Sequence, residues 1–362
     1  MDGLRAFAVV AVMFFHARAP FSELGMLGVD LFFVLSGFLI TSLMLDEHSR
    51  TGRIDLIKFW ARRFLRLAPA YWLYIAGVTL AIASGLGWTQ EKYGWTASDL
   101  VRSFWLYYCN YAPWPIWEHQ VVTAHLWSLA VEEQFYLLWP LILTMALSLG
   151  LTRKSTAIAT WVLVAGMAAR NILVPPYMDL RLEMRGLAIV VGCAFALSMA
   201  AWPGLAEVLG RRRVGETAAA AVLLLLIVAT LALRRGVLDM QVLWAGVVPV
   251  LAVGLAIVVG YLWRRSEGPL DSALSWRPLV RIGRISYGLY LYHFLVLHLT
   301  GFALPGMEAS HPGLYKPIRM VVYLVGSYLL AYLSYRFVEA GFLRLKSHLR
   351  PHGGHEPAKS AA

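Results

Sequence analysis

Two ionisable side chains interrupt the first apolar stretch of the sequence, MDGLRAFAVVAVMFFHARAP: Arg5 and His16. At about 100° per residue, a spacing of eleven returns both to one helix face, roughly 16 Å apart along the axis. An ionisable group in hydrocarbon costs about 2.5–3.5 kcal/mol on insertion scales, so each needs a partner or a task. An imidazole can take a proton from a hydroxyl; a guanidinium can hold a phosphate or an oxyanion. The bland alternative makes Arg5 a positive flank and His16 an interfacial residue. Charge, apolar run and Ala17-Arg18-Ala19 also imitate a cleavable secretory signal, against which the many later apolar spans argue.

Later spans repeat the pattern. In GVDLFFVLSGFLIT, Asp30 lies near the depth of His16 on an antiparallel neighbour, where a carboxylate would fix the imidazole's tautomer; a helix N-cap is the alternative. Ser36 and Gly37 read as close-packing residues. In HLWSLAVEEQFYLLWP, helical spacing sets His125, Ser128, Glu132 and Tyr136 on one polar face and turns Glu133 toward leucines. RISYGLYLYHFLVLHL aligns Ser286, Tyr290 and His293, and SYLLAYLSYRFVEAGF brings Arg336 and Glu339 to the spacing of an i, i+3 ion pair. In FWARRFLRLAPAYW, Arg63 and Arg66 share one side of a helix that Pro69 kinks or restarts. Paired guanidiniums there suit a phosphate or pyrophosphate, or the anionic lipid beside a cytoplasmic loop.

The elements that must position these groups are membrane helices. Of 362 residues 59% are hydrophobic and only 15% charged, and the mean hydropathy is +0.62, more apolar sequence than a soluble core needs. Apolar runs at 4–18, 27–45, 68–86, 125–147, 156–173, 184–202, 214–233, 240–262, 285–304 and 317–337 predict an all-α, polytopic bundle of about ten transmembrane helices. The formal charge of +11 lies mostly in short loops between them, which points away from nucleic acid and places both termini in the cytoplasm, although Arg234 and Arg235 break the pattern locally. The segment 87–124 is rich in Trp and Tyr, fitting an interfacial belt or a surface on which sugar rings stack. Residues 1–341 form the membrane-embedded domain, and 342–362 read as a disordered cytoplasmic tail.

Cys109 and Cys193 make neither a disulfide framework nor a zinc site. No G-x-x-x-x-G-K-[ST], G-x-S-x-G or H-E-x-x-H occurs, which removes the best sequence support for ATP hydrolysis, α/β-hydrolase chemistry and zinc proteolysis. No metal site and no tightly held cofactor are expected.

Five stretches, MDGLRAFAVVAVMFFH, LGVDLFFVLSGFLIT, FWARRFLRLAPAYW, HLWSLAVEEQFYLLWP and SYGLYLYHFLV, with YRFVE near the end, together resemble the membrane-bound acyltransferase-3 family across about residues 2–340. That family includes bacterial O-antigen and exopolysaccharide O-acetylases and macrolide acylases. The resemblance implies transfer of an acyl group, usually acetyl, from cytoplasmic acyl-CoA to a hydroxyl of an extracytoplasmic or lipid-linked glycan at a bacterial cytoplasmic membrane. The family's Arg and His fall on Arg5 and His16, its Arg-x-x-Arg on Arg63 and Arg66, its second-span acid on Asp30, and its Glu-Glu-Gln-Phe-Tyr run on Glu132 to Tyr136. Members usually carry a few more residues before the first motif, which leaves the natural start open. No esterase-like domain follows the last span in the sequence given, so transfer would proceed without one in this chain.

On this reading His16 is the general base, Asp30 or Glu132 orients or compensates it, and Arg5 holds the donor or the oxyanion. Arg63 and Arg66 grip CoA phosphates, and Ser128, Glu133, Tyr136 and His293 line the cavity. A covalent acyl-histidine stays open. So do two rival classes: a proton-coupled transporter or flippase of a lipid-linked sugar, which the absence of an internal repeat disfavours, and a scaffold with these groups as structural glue.

Overall fold

Lipid offers no hydrogen-bond partner to a backbone amide, so long apolar runs close their bonds internally as helix. The computed structural model describes residues 1–84, 95–112, 122–174, 180–264, 268–304 and 306–347. Its principal helices are α1 (Asp2–His16), α2 (Gly28–Thr51), α3 (Leu56–Ala83), α4 (Ala97–Trp105), α5 (Leu126–Ser148), α6 (Arg153–Leu173), α7 (Leu187–Ala201), α8 (Arg212–Arg234), α9 (Val248–Trp263), α10 (Ser286–Ala303) and α11 (Pro312–Ser334). Among the described residues six helices are long and apolar enough to cross a membrane, or seven when α7 and the helix Pro203–Leu209, bent by 117°, count as one span. Length and apolarity thus support six or seven crossings of the ten read from sequence. Of the rest, α1 has only 15 residues, and α5 and α10 are diluted by Glu, Gln, His and Tyr side chains.

Two helices cross where side chains all but vanish. A Cβ on Gly37 of α2 would sit 2.0 Å from the Ile189 carbonyl oxygen of α7, and one on Gly192 of α7 would sit 2.3 Å from that of Val34. Small residues let backbones meet, which is how membrane helices gain dispersion energy without a hydrophobic drive between them. Polar side chains tie the remaining helices together. Trp139 Nε1 donates to Thr41 Oγ1 (2.8 Å), Trp60 Nε1 to the Tyr136 carbonyl (3.0 Å), Tyr287 to the Leu67 carbonyl (2.9 Å) and Tyr323 to the Met13 carbonyl (3.2 Å).

Several boundaries differ from the sequence reading. Helix α3 starts at Leu56, twelve residues before the apolar run, because Asp55 caps it by accepting from the Lys58 amide at 3.0 Å; Arg63 and Arg66 are therefore helical. Pro69 lies inside that helix without restarting it. The aromatic segment is partly core: α4 buries Leu100 and Phe104, and Tyr107 stacks on Tyr71 of α3 with centroids 4.3 Å apart. Trp88, Trp114 and Trp117 of that segment lie outside the described residues. A helix, Ala340–Ser347, runs past the expected start of the tail, and residues 348–362 lie outside the described part.

Candidate active site

The polar faces of α1, α2, α3, α5 and α10 converge on two cavities. The first, of about 80 Å³, is lined by Arg5, Ser36, Arg63, Arg66, Ser128, Glu132, Tyr136, Ser286 and Tyr290, with Val29 and Phe33 among its apolar walls. Three guanidiniums against one carboxylate make it a cationic pocket. Arg5 keeps an ion pair with Asp2 at 2.9 Å, Arg63 lies 4.8 Å over the Tyr136 ring, and Arg66 sits within the field of both. Glu132 accepts hydrogen bonds from Ser36 and Tyr136, whose hydroxyl oxygens lie 3.1 Å apart. A carboxyl group held by two hydroxyls is fixed in place beside the arginines.

The second cavity, of about 690 Å³, is lined by His16, Asp30, His125 and Arg185, by the aromatic rings of Phe15, Trp127, Trp244 and Phe294, and again by Val29, Phe33 and Tyr290. Those last three residues are the wall that the two cavities share. His16 Nδ1 lies 3.1 Å from Nε2 of His293, whose Nδ1 is 2.6 Å from the Tyr290 carbonyl oxygen. His125 places Nε2 3.0 Å from the Leu291 carbonyl, and its Nδ1, buried, has no hydrogen-bond partner among the described residues. The buried Nε1 of Trp244 likewise has none there. Arg185 lies flat on Trp244, 3.8 Å from the ring centroid, and is the cation whose field reaches Asp30.

The same-face spacing of Arg5 and His16 therefore puts one residue in each cavity. Five expectations need correction. His16 bonds to His293 and not to a carboxylate: Glu132 is engaged by Ser36 and Tyr136 in the other cavity, and Asp30, which lines the cavity of His16, makes no hydrogen bond to it. His293 is not on a cavity wall: it is wholly buried behind His16. Glu133 lines neither cavity, because one residue further along α5 is about 100° round the helix, where its charged neighbours are Glu132 and Arg63. The Arg336–Glu339 pair does not form: residues Tyr335–Glu339 take a π turn that buries Glu339, which accepts from Ser334 at 3.3 Å and lies in the field of Arg66. Asp30 sits in the first turn of α2, but the N-cap position is Leu27, so it does not cap.

Three contributors escaped the sequence reading. Ser36 reads from sequence as a packing residue, yet it stands one residue before Gly37 of the α2–α7 crossing, about 100° round the helix, and reaches Glu132. Arg185 falls in a short helix, Leu182–Arg185, where it reads as a flank of the next span. Trp244 belongs to a π turn, Leu243–Val247, whose phase shift leaves no signature in composition.

The acyltransferase domain family matches residues 1–336. OatA of Staphylococcus aureus strain NCTC 8325, described as an O-acetyltransferase, is 31% identical over 365 residues, covering 94% of this chain and 56% of that protein. OatA of Listeria monocytogenes, described as a peptidoglycan O-acetyltransferase, is 29% identical over 361 residues, with 94% and 54% covered. YrhL of Bacillus subtilis is 29% identical over 360 residues, again with 94% and 54% covered. The chain thus spans about half the length of the curated relatives it matches. No solved structure matches it. With the family model matching residues 1–336, nearly the whole chain, the chain belongs to the acyltransferase-3 family.

Proposed function

We propose that the protein is a membrane O-acetyltransferase that takes an acetyl group from cytoplasmic acetyl-CoA and delivers it to a hydroxyl of an extracytoplasmic or lipid-linked glycan. The observation that supports this reading is the shared wall: Val29, Phe33 and Tyr290 line both the arginine cavity and the cavity of His16. The cationic pocket suits the phosphates of CoA, which guanidiniums hold in bidentate fashion. By the positive-inside pattern it belongs to the cytoplasmic side of a bacterial inner membrane. The larger cavity has the size of a ligand site and combines aromatic faces with buried polar atoms that await partners, as a sugar ring requires. Peptidoglycan is the acceptor class that the Listeria relative's description names.

In the reaction, His16 Nε2 removes the proton of the acceptor hydroxyl as its oxygen attacks the thioester carbonyl. The carbon–sulfur bond breaks, the ester bond forms, and the proton passes to the departing CoA thiolate. Arg5 and its neighbours in the cationic pocket hold the donor's phosphates while its thioester reaches toward His16. Purified protein incubated with labelled acetyl-CoA tests the reading: wild type releases or transfers the label, and His16→Ala, inserted and monodisperse, loses that activity by at least about 100-fold. Full activity in His16→Ala contradicts the role of His16, and no turnover by wild type favours a transporter or a scaffold.

A further inference from the structure

We infer that His293 is a positioning residue that fixes the tautomer of His16, leaving Nε2 of His16 as the basic nitrogen. The inference rests on His16 being the base proposed above, and it identifies what stands where a carboxylate usually does.

A backbone carbonyl can only accept, so the 2.6 Å contact between His293 Nδ1 and the Tyr290 oxygen places a proton on that nitrogen. A neutral imidazole carries one N–H, and His293 Nε2 is therefore a lone pair. The atom 3.1 Å away is His16 Nδ1, which must donate. His16 in turn has its own lone pair on Nε2. The order of the chain, Tyr290 carbonyl, His293, His16, is set at its end by a group that neither titrates nor rotates.

His125 is kept out of this chain by the same device. Its Nε2, 3.0 Å from the Leu291 carbonyl, carries the proton, so it has no N–H to offer to His293. Adjacent carbonyls of α10 thus orient two imidazoles, and rings packed around them hold the geometry: His16 and His125 lie 4.4 and 4.9 Å from the Phe294 centroid. A neutral imidazole as partner also avoids burying a second permanent charge beside His16. When His16 takes the hydroxyl proton on Nε2, its Nδ1–H bond to His293 becomes charge-assisted and stronger, and it relaxes again once the proton moves to the thiolate.

The test is nitrogen NMR of the full chain labelled with ¹⁵N-histidine in lipid nanodiscs, with the His16 signals assigned by their loss in His16→Asn. Wild type at neutral pH should show His16 protonated at Nδ1. His293→Leu, which removes the acceptor, should shift His16 toward the Nε2–H form and lower acetyl transfer by about 10–100-fold, the usual cost of losing an outer-shell partner. His293→Gln, whose amide oxygen can accept from Nδ1–H, should retain the tautomer and recover most of the transfer. A wild-type His16 protonated at Nε2, or a His293→Leu protein with unchanged tautomer or unchanged transfer, overturns the inference. Transfer that survives in His16→Ala overturns the function of His16 instead, and leaves the tautomer measurement as found.

Discussion

On the proposed reading Arg63 and Arg66 hold the donor while His16 takes the proton, and kinetics separates the two roles. A charge-assisted hydrogen bond contributes about 1.5–3 kcal/mol, so Arg63→Ala should raise KM for acetyl-CoA by about 10–100-fold. The defect should grow at low salt, where wild type gains from electrostatic attraction that the variant lacks. Initial rates over a range of acetyl-CoA concentrations at two ionic strengths measure this; an unchanged KM with a lower kcat would take the arginines off the donor. Spacing alone puts Arg5 and His16 on one face, Arg63 beside Arg66 and Glu132 on the polar face of α5, whereas placing Glu133 on the cavity wall was not supported by the structure. It could not reveal that His293 stands behind His16 or that Ser36 reaches Glu132, because those are contacts between helices 277 and 96 residues apart in sequence. Periodicity describes one helix at a time.

At the scale of the helix, the site depends on the α2–α7 crossing, which holds the helix that carries both Asp30 and Ser36. Gly37→Val would drive a side chain into the Ile189 carbonyl, where even a Cβ comes within 2.0 Å. We expect loss of the monodisperse protein or a marked drop in thermal midpoint in detergent. Gly77→Ala on the exposed side of α3, where a Cβ meets nothing within 4 Å, should leave the midpoint unchanged or raised, as alanine is the better helix former. Size-exclusion profiles and thermal unfolding of the two variants check the contrast, and equal behaviour would remove the crossing from the explanation. Helix identities were legible because hydropathy is strong, whereas helix starts and phases were not. Asp55 extends α3 through a charged segment that reads as loop, and the π turn at Tyr335–Glu339 swings Glu339 inward against the regular period.

For the molecule as a whole, the two cavities make sense of a chain that is too polar in places for its membrane. Helices α1, α5 and α10 fall short of the length or apolarity of a span because they supply Arg5, His16, Glu132 and the residues around His293. Those polar side chains face one another inside the bundle, away from lipid, where their desolvation is offset by partners. Counting apolar runs found the helices, of which six or seven meet the criteria of length and apolarity among the described residues. The central claim is that donor and acceptor approach the shared wall of Val29, Phe33 and Tyr290 from opposite sides. Sealed proteoliposomes with a peptidoglycan fragment inside and labelled acetyl-CoA outside test it directly. Wild type should O-acetylate the enclosed glycan, and His16→Ala and the Arg63→Ala, Arg66→Ala double variant should not. Acetylation that occurs only when donor and glycan share a compartment would contradict it.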